Sequence, residues 1–357
     1  MLNVLRVVTW LSVFFLALPL VRAHSGASRE SLIQRSLEQL HCEQFDSALA
    51  ICAELRRSWP DHPAGFLLAA GVYQTMMRDY RVRLFEARFD SLLQNAVALA
   101  EQQVRAEASA EHFFLLGTGR GYRGLHRFRC GEWAAGFRDA VLALNAMERA
   151  LQRDAALVDP HLALGVYEYW KSANLNFAGG LFAGKREQAI AALESVRQRG
   201  RYVAIEAAYS LQTIYIHEKN YLKALEINDW LIMRFPLNIS ALYHRGLLLD
   251  KLDRVEDALA VWEKVIARIR AFRQASDGYL AECHWHRARL YERLPAPAPA
   301  PSAKQLVISA LQQARMHARQ RVAEKELEGP LTSFREINKA IDEMVKKYDS
   351  QGGDFRN

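Results

Sequence analysis

The chain has 357 residues, of which 50% are hydrophobic and 24% charged. This much apolar material can bury a large core, which excludes a wholly disordered chain and a collagen-like fibre. The net charge is +7, and 4 cysteines are too few for a disulfide-dense scaffold. Leu and Ala dominate while β-branched residues are sparse, so the composition favours helices.

The first 23 residues have the pattern of a secretory signal peptide. Arg6 precedes an apolar run from Val7 to Val21, and small residues, Val21 and Ala23, stand at the two positions that define cleavage. The run is short for a membrane span, which needs about 20 apolar residues. We therefore expect export to a bacterial periplasm, with secretion or an uncleaved membrane anchor as alternatives. Cleavage would remove Arg6 and Arg22 and change the net charge from +7 to +5.

Beyond this segment, apolar residues recur at helical spacing in successive pairs of segments. The stretch FDSALAICAELRRSWP contains Ala48 and ends at Pro60, and residues 64–105 and 110–154 predict two further pairs of long helices. The next pair has Gly165 in its first helix and Ala189 in its second. An insertion at 173–184 separates those two helices.

Two consecutive blocks then repeat with a period of 34 residues. Three pairs of residues keep this spacing: Tyr209 and Tyr243, Ala224 and Ala258, Leu225 and Leu259. Each block has two helical segments around a short polar turn, and Pro236 ends the second helix of the first block. The alanines stand where paired helices cross, because a larger side chain would push the helices apart.

This pattern resembles the tetratricopeptide repeat (TPR) family, over about residues 30–270. The family has a small residue late in the first helix of each pair, an alanine early in the second, a large apolar residue four positions on, and a closing proline. The positions that fit are Ala48, Pro60, Gly165, Ala189, Ala224, Pro236, Gly246, Ala258 and Trp262. Asn228 departs from the pattern, since it stands where the large apolar residue belongs. The resemblance implies an all-α, right-handed superhelical solenoid of antiparallel helix pairs.

The C-terminal part keeps helical periodicity without the repeat signature. The run PAPAPAP at 295–301 cannot be helical and predicts a stiff spacer. An amphipathic helix at 333–348 would supply the polar cap that a solenoid needs at its end. We therefore divide the chain into a signal peptide (1–23), a TPR-like array (24–275), an irregular helix pair interrupted by the Pro/Ala linker (276–318), and a capping helix with its tail (319–357).

Two short motifs resemble a phosphate-binding loop and a metal site, but neither has the surrounding residues that such a site requires. The run GGLFAGK at 179–185 resembles the start of a phosphate-binding loop, but Arg186 replaces the Ser or Thr that would face the metal, and no strand precedes the run. In Cys283-His284-Trp285-His286, the two histidines diverge because neighbouring helix positions are rotated by about 100°. We expect no metal and no cofactor. The pairing of Cys42, Cys52, Cys130 and Cys283 stays open.

The resemblance implies that the first helix of each pair lines a concave inner surface. Mapped residue by residue, the expected partner-binding residues are Tyr169, Trp170, Tyr209, Thr213, His217, Tyr243, Asp250 and Lys251. Tyrosines one repeat apart would form an aromatic ladder for an extended peptide or an amphipathic helix. The alternative is that Tyr209 and Tyr243 only pack between adjacent repeats.

The sequence thus predicts an exported, non-enzymatic scaffold or adaptor that binds a protein or peptide on its concave surface, in envelope assembly or transport. One alternative is a small-molecule-binding or enzymatic protein that uses the insertion at 173–186 together with Tyr169 and Trp170. Another is a spacer whose partner binds the convex face. Interrupted basic clusters and a diluted net charge argue against nucleic acid as the partner.

Overall fold

The computed structural model describes residues 28–174, 183–294, 302–350 and 355. Within these residues the chain forms fifteen α-helices and one short 3₁₀ turn at Ala323–Lys325. The helices are α1 (Arg29–His41), α2 (Phe45–Ser58), α3 (Ala64–Tyr80), α4 (Glu86–Ala106), α5 (Ala110–Arg129), α6 (Trp133–Arg153), α7 (His161–Asn174), α8 (Ala183–Arg199), α9 (Ala204–His217), α10 (Tyr221–Arg234), α11 (Ile239–Lys251), α12 (Val255–Ala271), α13 (Asp277–Tyr291), α14 (Ala303–Gln320) and α15 (Phe334–Asp349).

Consecutive helices pack in pairs, from α1 with α2 to α13 with α14, and α15 packs on the last pair. Short connections make neighbouring helices antiparallel. The predicted all-α array of helix pairs is therefore confirmed. None of the described helices is long and apolar enough to cross a membrane. The expected signal peptide lies outside the described residues, as does most of the insertion after α7.

The repeat positions lie where the paired helices approach most closely. Ala48, Ala224 and Ala258 are fully buried. A Cβ atom on Gly165 would lie 3.1 Å from Cγ of Leu193, and one on Gly246 would lie 2.7 Å from the Trp262 ring. Small residues at these positions therefore let each first helix approach its partner.

Asn228, which departs from the repeat pattern, is fully buried and joins two repeats. Its side-chain amide donates a hydrogen bond to the carbonyl oxygen of Ala241 at 2.9 Å, and its Oδ1 accepts one from Arg245 at 3.2 Å. A buried amide needs such partners, because leaving it unpaired costs about 1–3 kcal/mol. Hydrogen bonds between α10 and α11 thus replace the apolar contact that Trp262 makes in the next repeat.

The segment after α14 extends back to the turn that follows α3. The amide of Arg83 donates to the carbonyl oxygen of Lys325 at 2.9 Å, and the amide of Leu327 donates to that of Arg81 at 3.0 Å. Helix α15 begins only after this segment, with a capping box formed by Ser333 and Glu336. The expected C-terminal cap at 319–357 therefore includes a non-helical stretch that pairs with the N-terminal part of the chain.

One hydrophobic core joins the two ends of the array, since it contains residues of α1–α4 together with residues of α11–α13. The Tyr80 ring stacks on the Phe272 ring at 3.8 Å, and Phe45 packs edge-on against both rings. Two ion pairs also join the N-terminal helices to later parts of the chain: Glu38 of α1 with Arg234 of α10, and Asp46 of α2 with Arg273 in the turn after α12. The N-terminal helix pair therefore packs against the later repeats as well as against its neighbour α3.

Candidate functional site

Tyr243, expected on an open concave surface, is only 3% exposed. Its hydroxyl donates to Oε1 of Glu282 at 2.7 Å, and its ring packs edge-on against the rings of Trp262 and Tyr279. The Arg81 guanidinium lies 5.0 Å from the ring centroid. Since its hydroxyl and ring both contact the chain's own residues, Tyr243 cannot bind a partner in this conformation.

Tyr209 connects three parts of the array. Its hydroxyl donates to Oδ1 of Asn238 at 2.7 Å, and the same Oδ1 caps α11 by accepting the Ala241 amide. The Asn238 side-chain amide donates to the carbonyl oxygen of His41 in α1. Tyr209 and Tyr243 therefore pack between parts of the array, as in the second of the two arrangements considered from the sequence.

The remaining expected residues do not form one continuous surface. Tyr169 is fully buried, with its hydroxyl 3.0 Å from Nδ1 of His217, while Trp170 is half-buried with its ring edge-on to His217. Asp250 is buried and ion-paired with Arg293 and Arg289. Thr213 is half-buried, and His217 and Lys251 are exposed.

The turn between α1 and α2 occupies the space in which a partner was expected. The carboxylate of Glu43, 8% exposed, accepts hydrogen bonds from the Tyr80 hydroxyl, the Ile239 amide and the Arg268 guanidinium. Burial raises the pKa of Glu43, while these three donors oppose the rise. Residues nearly 200 positions apart thus meet at this carboxylate, and the chain covers its own inner surface.

A second buried ion pair lies beside Tyr243. Arg81 is paired with Glu282, and the Arg81 guanidinium lies 3.7 Å from the centroid of the Tyr279 ring. Burial alone would raise the pKa of Glu282, but the charge of Arg81 and the hydrogen bond with His286 lower it to about 2. The pair therefore links the turn after α3 to α13.

A small pocket, with about 60 Å³ of space open to a water-sized molecule, lies between α1, α3, α5 and α9. Its wall is mostly apolar and includes Leu37, Leu67 and Phe114, with Glu111 and Glu206 adding two carboxylates. Oε2 of Glu206 is buried without a hydrogen-bond partner among the described residues. Both carboxylates already have partners in the chain: Oε1 of Glu111 lies 3.1 Å from the Arg29 guanidinium, and Oε1 of Glu206 lies 3.6 Å from Nε2 of His41.

The exposed face of α6 carries three large apolar side chains, which we name the aromatic stripe: Trp133, Phe137 and Val141. They lie four residues apart, so they share one face of the helix, and they are 62%, 61% and 54% exposed. The buried face of α6 consists mainly of small residues: Gly136, Ala143, Ala146 and Ala150. This helix therefore exposes its two aromatic side chains, whereas the residues that it buries are small except for Asp139 and Met147.

Helix α5 packs against the aromatic stripe. The ring of Phe128 lies 5.7 Å from that of Trp133 and 5.1 Å from that of Phe137. The fully buried Asp139 accepts two hydrogen bonds from Arg123, at 2.8 and 3.0 Å, and one from Arg127 at 2.5 Å. Charged, bidentate bonds of this kind fix the relative position of two helices. These bonds therefore fix the helix that carries the stripe on α5.

The two histidines of the Cys283–His286 motif contact different neighbours. His286 stacks on Trp262 at 4.4 Å, whereas His284 stacks on His317 at 5.7 Å. Both ring nitrogens of His284 lack a hydrogen-bond partner among the described residues. Burial, together with the charges of Arg287, His317 and Arg270, lowers the pKa of His284 to about 3.

The free energy of unfolding is therefore expected to fall as the pH decreases from about 6.5 towards 3. The unfolded chain takes up a proton at His284 near pH 6.5, whereas the folded chain does so only near pH 3, so acid favours unfolding. One such proton gives a slope of at most about 1.4 kcal/mol per pH unit. Denaturant titrations across this range should show a shallower slope for His284→Leu than for the wild type. The exposed His217→Gln variant is the control, and equal slopes in all three proteins would contradict the prediction.

The structure describes the other expected chemical features only in part. The phosphate-loop-like run lies mostly outside the described residues, as does most of the insertion at 173–186. All four cysteines are free thiols. Cys52 is buried, with Sγ 3.2 Å from Oγ of Ser36, and Cys130 lies beside a histidine and a glutamate.

No protein-family model and no curated protein matches this chain. Among solved structures, the chain is similar to the C-terminal part of a TPR repeat-containing protein from Cytophaga hutchinsonii (17% identity, 80% of this chain and 94% of that chain, TM-score 0.39). It is also similar to a tetratricopeptide repeat protein from Parabacteroides merdae (16%, 88% and 98%, TM-score 0.38). A third similar structure is human IFIT1, solved as a dimer with m7Gppp-AAAA (16%, 87% and 68%, TM-score 0.45). These likenesses concern the fold alone, which the helix pairs of this chain establish independently.

Proposed function

We propose that the protein is a helical-repeat scaffold that binds an amphipathic, acidic helix of a protein partner through the aromatic stripe on α6. The observation that carries the proposal is the exposure of both aromatic side chains of α6, Trp133 and Phe137, on one face of the helix. Contiguous exposed apolar patches on soluble proteins usually mark interaction sites. Full burial of each large apolar side chain would contribute about 1.5–3 kcal/mol.

The geometry of the stripe suits a helix as the bound element. Residues 133 to 141 span about 12 Å along α6, which corresponds to roughly two turns of a partner helix. Rigid aromatic side chains of this kind form the energetic centre of many interfaces. The support from Phe128 and Asp139 means that little side-chain entropy is lost on binding.

The charge around the stripe favours an acidic partner. The hairpin formed by α5 and α6 has 7 arginines and 4 acidic residues between Ala110 and Arg153, a net charge of +3. Arg138 is exposed next to Phe137. Opposite charges across an interface accelerate association and select the partner. If the chain is exported as its N-terminus predicts, this partner belongs to the cell envelope.

The paired substitution Trp133→Ser and Phe137→Ser is expected to weaken partner binding by about 100-fold or more, since each ring is a candidate for a binding hot spot. The free energy of unfolding should fall by only about 1–3 kcal/mol, because both side chains are exposed and lose mainly their contacts with the Phe128 ring. Quantitative capture of the partner from an envelope extract, with denaturant unfolding in parallel, measures both effects.

The matched control replaces Leu222 and Met233 by Ser, because these two side chains are exposed on α10, away from the stripe. This control should bind as the wild type does. Undiminished capture by the stripe variant would contradict the proposal. So would binding of the stripe to anionic lipid vesicles in place of a protein.

A further inference from the structure

Three metal-ligating side chains from two helices meet at one point, outside the surfaces described above. His126 and Cys130 lie one turn apart near the C-terminal end of α5, and Glu86 is the first residue of α4. Each offers one ligand atom, and all three atoms lie within 4.8 Å of one another. Their spacing of four residues places His126 and Cys130 on the same side of α5.

The distances between these atoms are those of a metal coordination sphere. Nε2 of His126 lies 3.2 Å from Oε1 of Glu86, and Sγ of Cys130 lies 3.5 Å from each of them. Typical zinc bonds of about 2.3 Å to sulfur and about 2.0 Å to nitrogen or oxygen, at tetrahedral angles, separate the donors by about 3.3 Å (N to O) and about 3.5 Å (S to N or O). The three donor-to-donor distances therefore match three edges of a tetrahedral zinc site.

We propose that Glu86, His126 and Cys130 bind a divalent transition-metal ion, for which Zn²⁺ is the best fit. A thiolate with an imidazole and a single carboxylate selects borderline-soft ions, whereas Mg²⁺ and Ca²⁺ prefer sites made of oxygen atoms alone. Three protein ligands leave a fourth position for a water molecule. The ion would connect the start of α4 to the end of α5.

The cluster has charges of both signs around it. Arg83 donates from Nε to the same Oε1 of Glu86 at 2.7 Å, so it orients this carboxylate but also places a positive charge beside the site, which a bound ion has to tolerate or displace. Asp90 and Glu132 add negative charge near His126 and Cys130, respectively. A thiolate at Cys130 with the Glu86 carboxylate would balance the two positive charges of the ion.

Metal binding requires specific protonation states of His126 and Cys130. A metal ion binds the imidazole of His126 in its neutral form. It binds Cys130 as the thiolate. Binding of the ion therefore replaces the thiol proton, which is released to solvent as the metal–sulfur bond forms.

Cobalt(II) added to the purified, reduced full-length protein tests the proposal, because its spectrum reports both the ligands and the geometry. We expect one ion per chain, with a thiolate-to-cobalt charge-transfer band in the near ultraviolet and tetrahedral d–d bands in the visible. Stoichiometric Zn²⁺ should abolish both bands. The absence of a charge-transfer band in the wild type would overturn the proposal.

Matched variants identify the ligands. Cys130→Ser, which is nearly isosteric, should eliminate the charge-transfer band. Loss of an outer-sphere partner typically weakens metal binding by about 10- to 100-fold. Glu86→Gln and His126→Asn remove direct ligands, so each should weaken binding by more than this. Cys42→Ser, which removes a half-buried thiol elsewhere, should leave the spectrum unchanged. A band that persists in Cys130→Ser, or that disappears equally in Cys42→Ser, would overturn the assignment.

Discussion

Replacement of Arg81 by methionine is expected to lower the free energy of unfolding by about 3–5 kcal/mol, because it leaves the buried Glu282 carboxylate without its partner charge. Both side chains of the pair are at most 5% exposed, and Tyr243 donates to the other carboxylate oxygen. Equilibrium unfolding in denaturant measures the effect. The loss should be large because this pair connects the turn after α3 to α13.

Two further variants distinguish the buried pair from an ordinary ion pair. Arg83→Met removes a more exposed pair with Glu86, two positions away, and should cost no more than about 1 kcal/mol. Adding Glu282→Gln to Arg81→Met should recover most of the lost stability, since the uncompensated charge is then absent. Equal effects of Arg81→Met and Arg83→Met would contradict the buried-pair interpretation.

Trp262→Ala is expected to destabilise the protein by about 3–5 kcal/mol, the range observed for truncation of fully buried large aromatic residues. Trp262 is fully buried in α12, stacks on His286, and is the ring against which Gly246 packs. Its removal leaves a cavity between α11, α12 and α13 that the rigid helix pairs can fill only in part. Thermal or denaturant unfolding gives the difference.

The control for this prediction is Trp230→Ala, which removes a half-buried tryptophan from the second helix of the preceding repeat. Trp230→Ala should lower the free energy of unfolding clearly less than Trp262→Ala does. Gly246→Ala should also be tolerated better in the Trp262→Ala background than in the wild type, because the added methyl group then meets the cavity instead of the ring. Additive effects of these two substitutions would argue against direct packing of Gly246 on Trp262.

The sequence predicts the repeats well because close helix contacts restrict residue size at fixed spacings. Gly246 and Ala258 could be identified for this reason, and the structure places both in contact regions. Asn228 could be recognised as an exception, but its hydrogen bonds to Ala241 and Arg245 depend on the adjacent repeat. Local periodicity in the sequence predicts the helix pairs, but it does not predict the contacts between pairs that are distant in the chain.

The sequence pattern does not predict which helix faces are exposed to solvent and which are covered by other parts of the chain. Tyr243 has the position of a ligand-binding residue in its repeat, but it is covered because the N- and C-terminal parts of the array share one core. The contact between Glu43 and the Ile239 amide crosses 196 residues and leaves no periodic signal. Trp133, Phe137 and Val141 have the spacing of a buried helix face, so the sequence alone cannot distinguish them from core residues.

The central claim is that the partner contacts the outer face of α6 and not the concave surface. Site-specific photo-crosslinking compares the two directly, with a benzophenone side chain placed at position 137 in one variant and at position 213 in another. We predict a crosslink from position 137 to an acidic, amphipathic helical segment of one partner, identified by sequencing the joined peptide, and none from position 213. A crosslink from position 213 together with none from position 137 would contradict the claim.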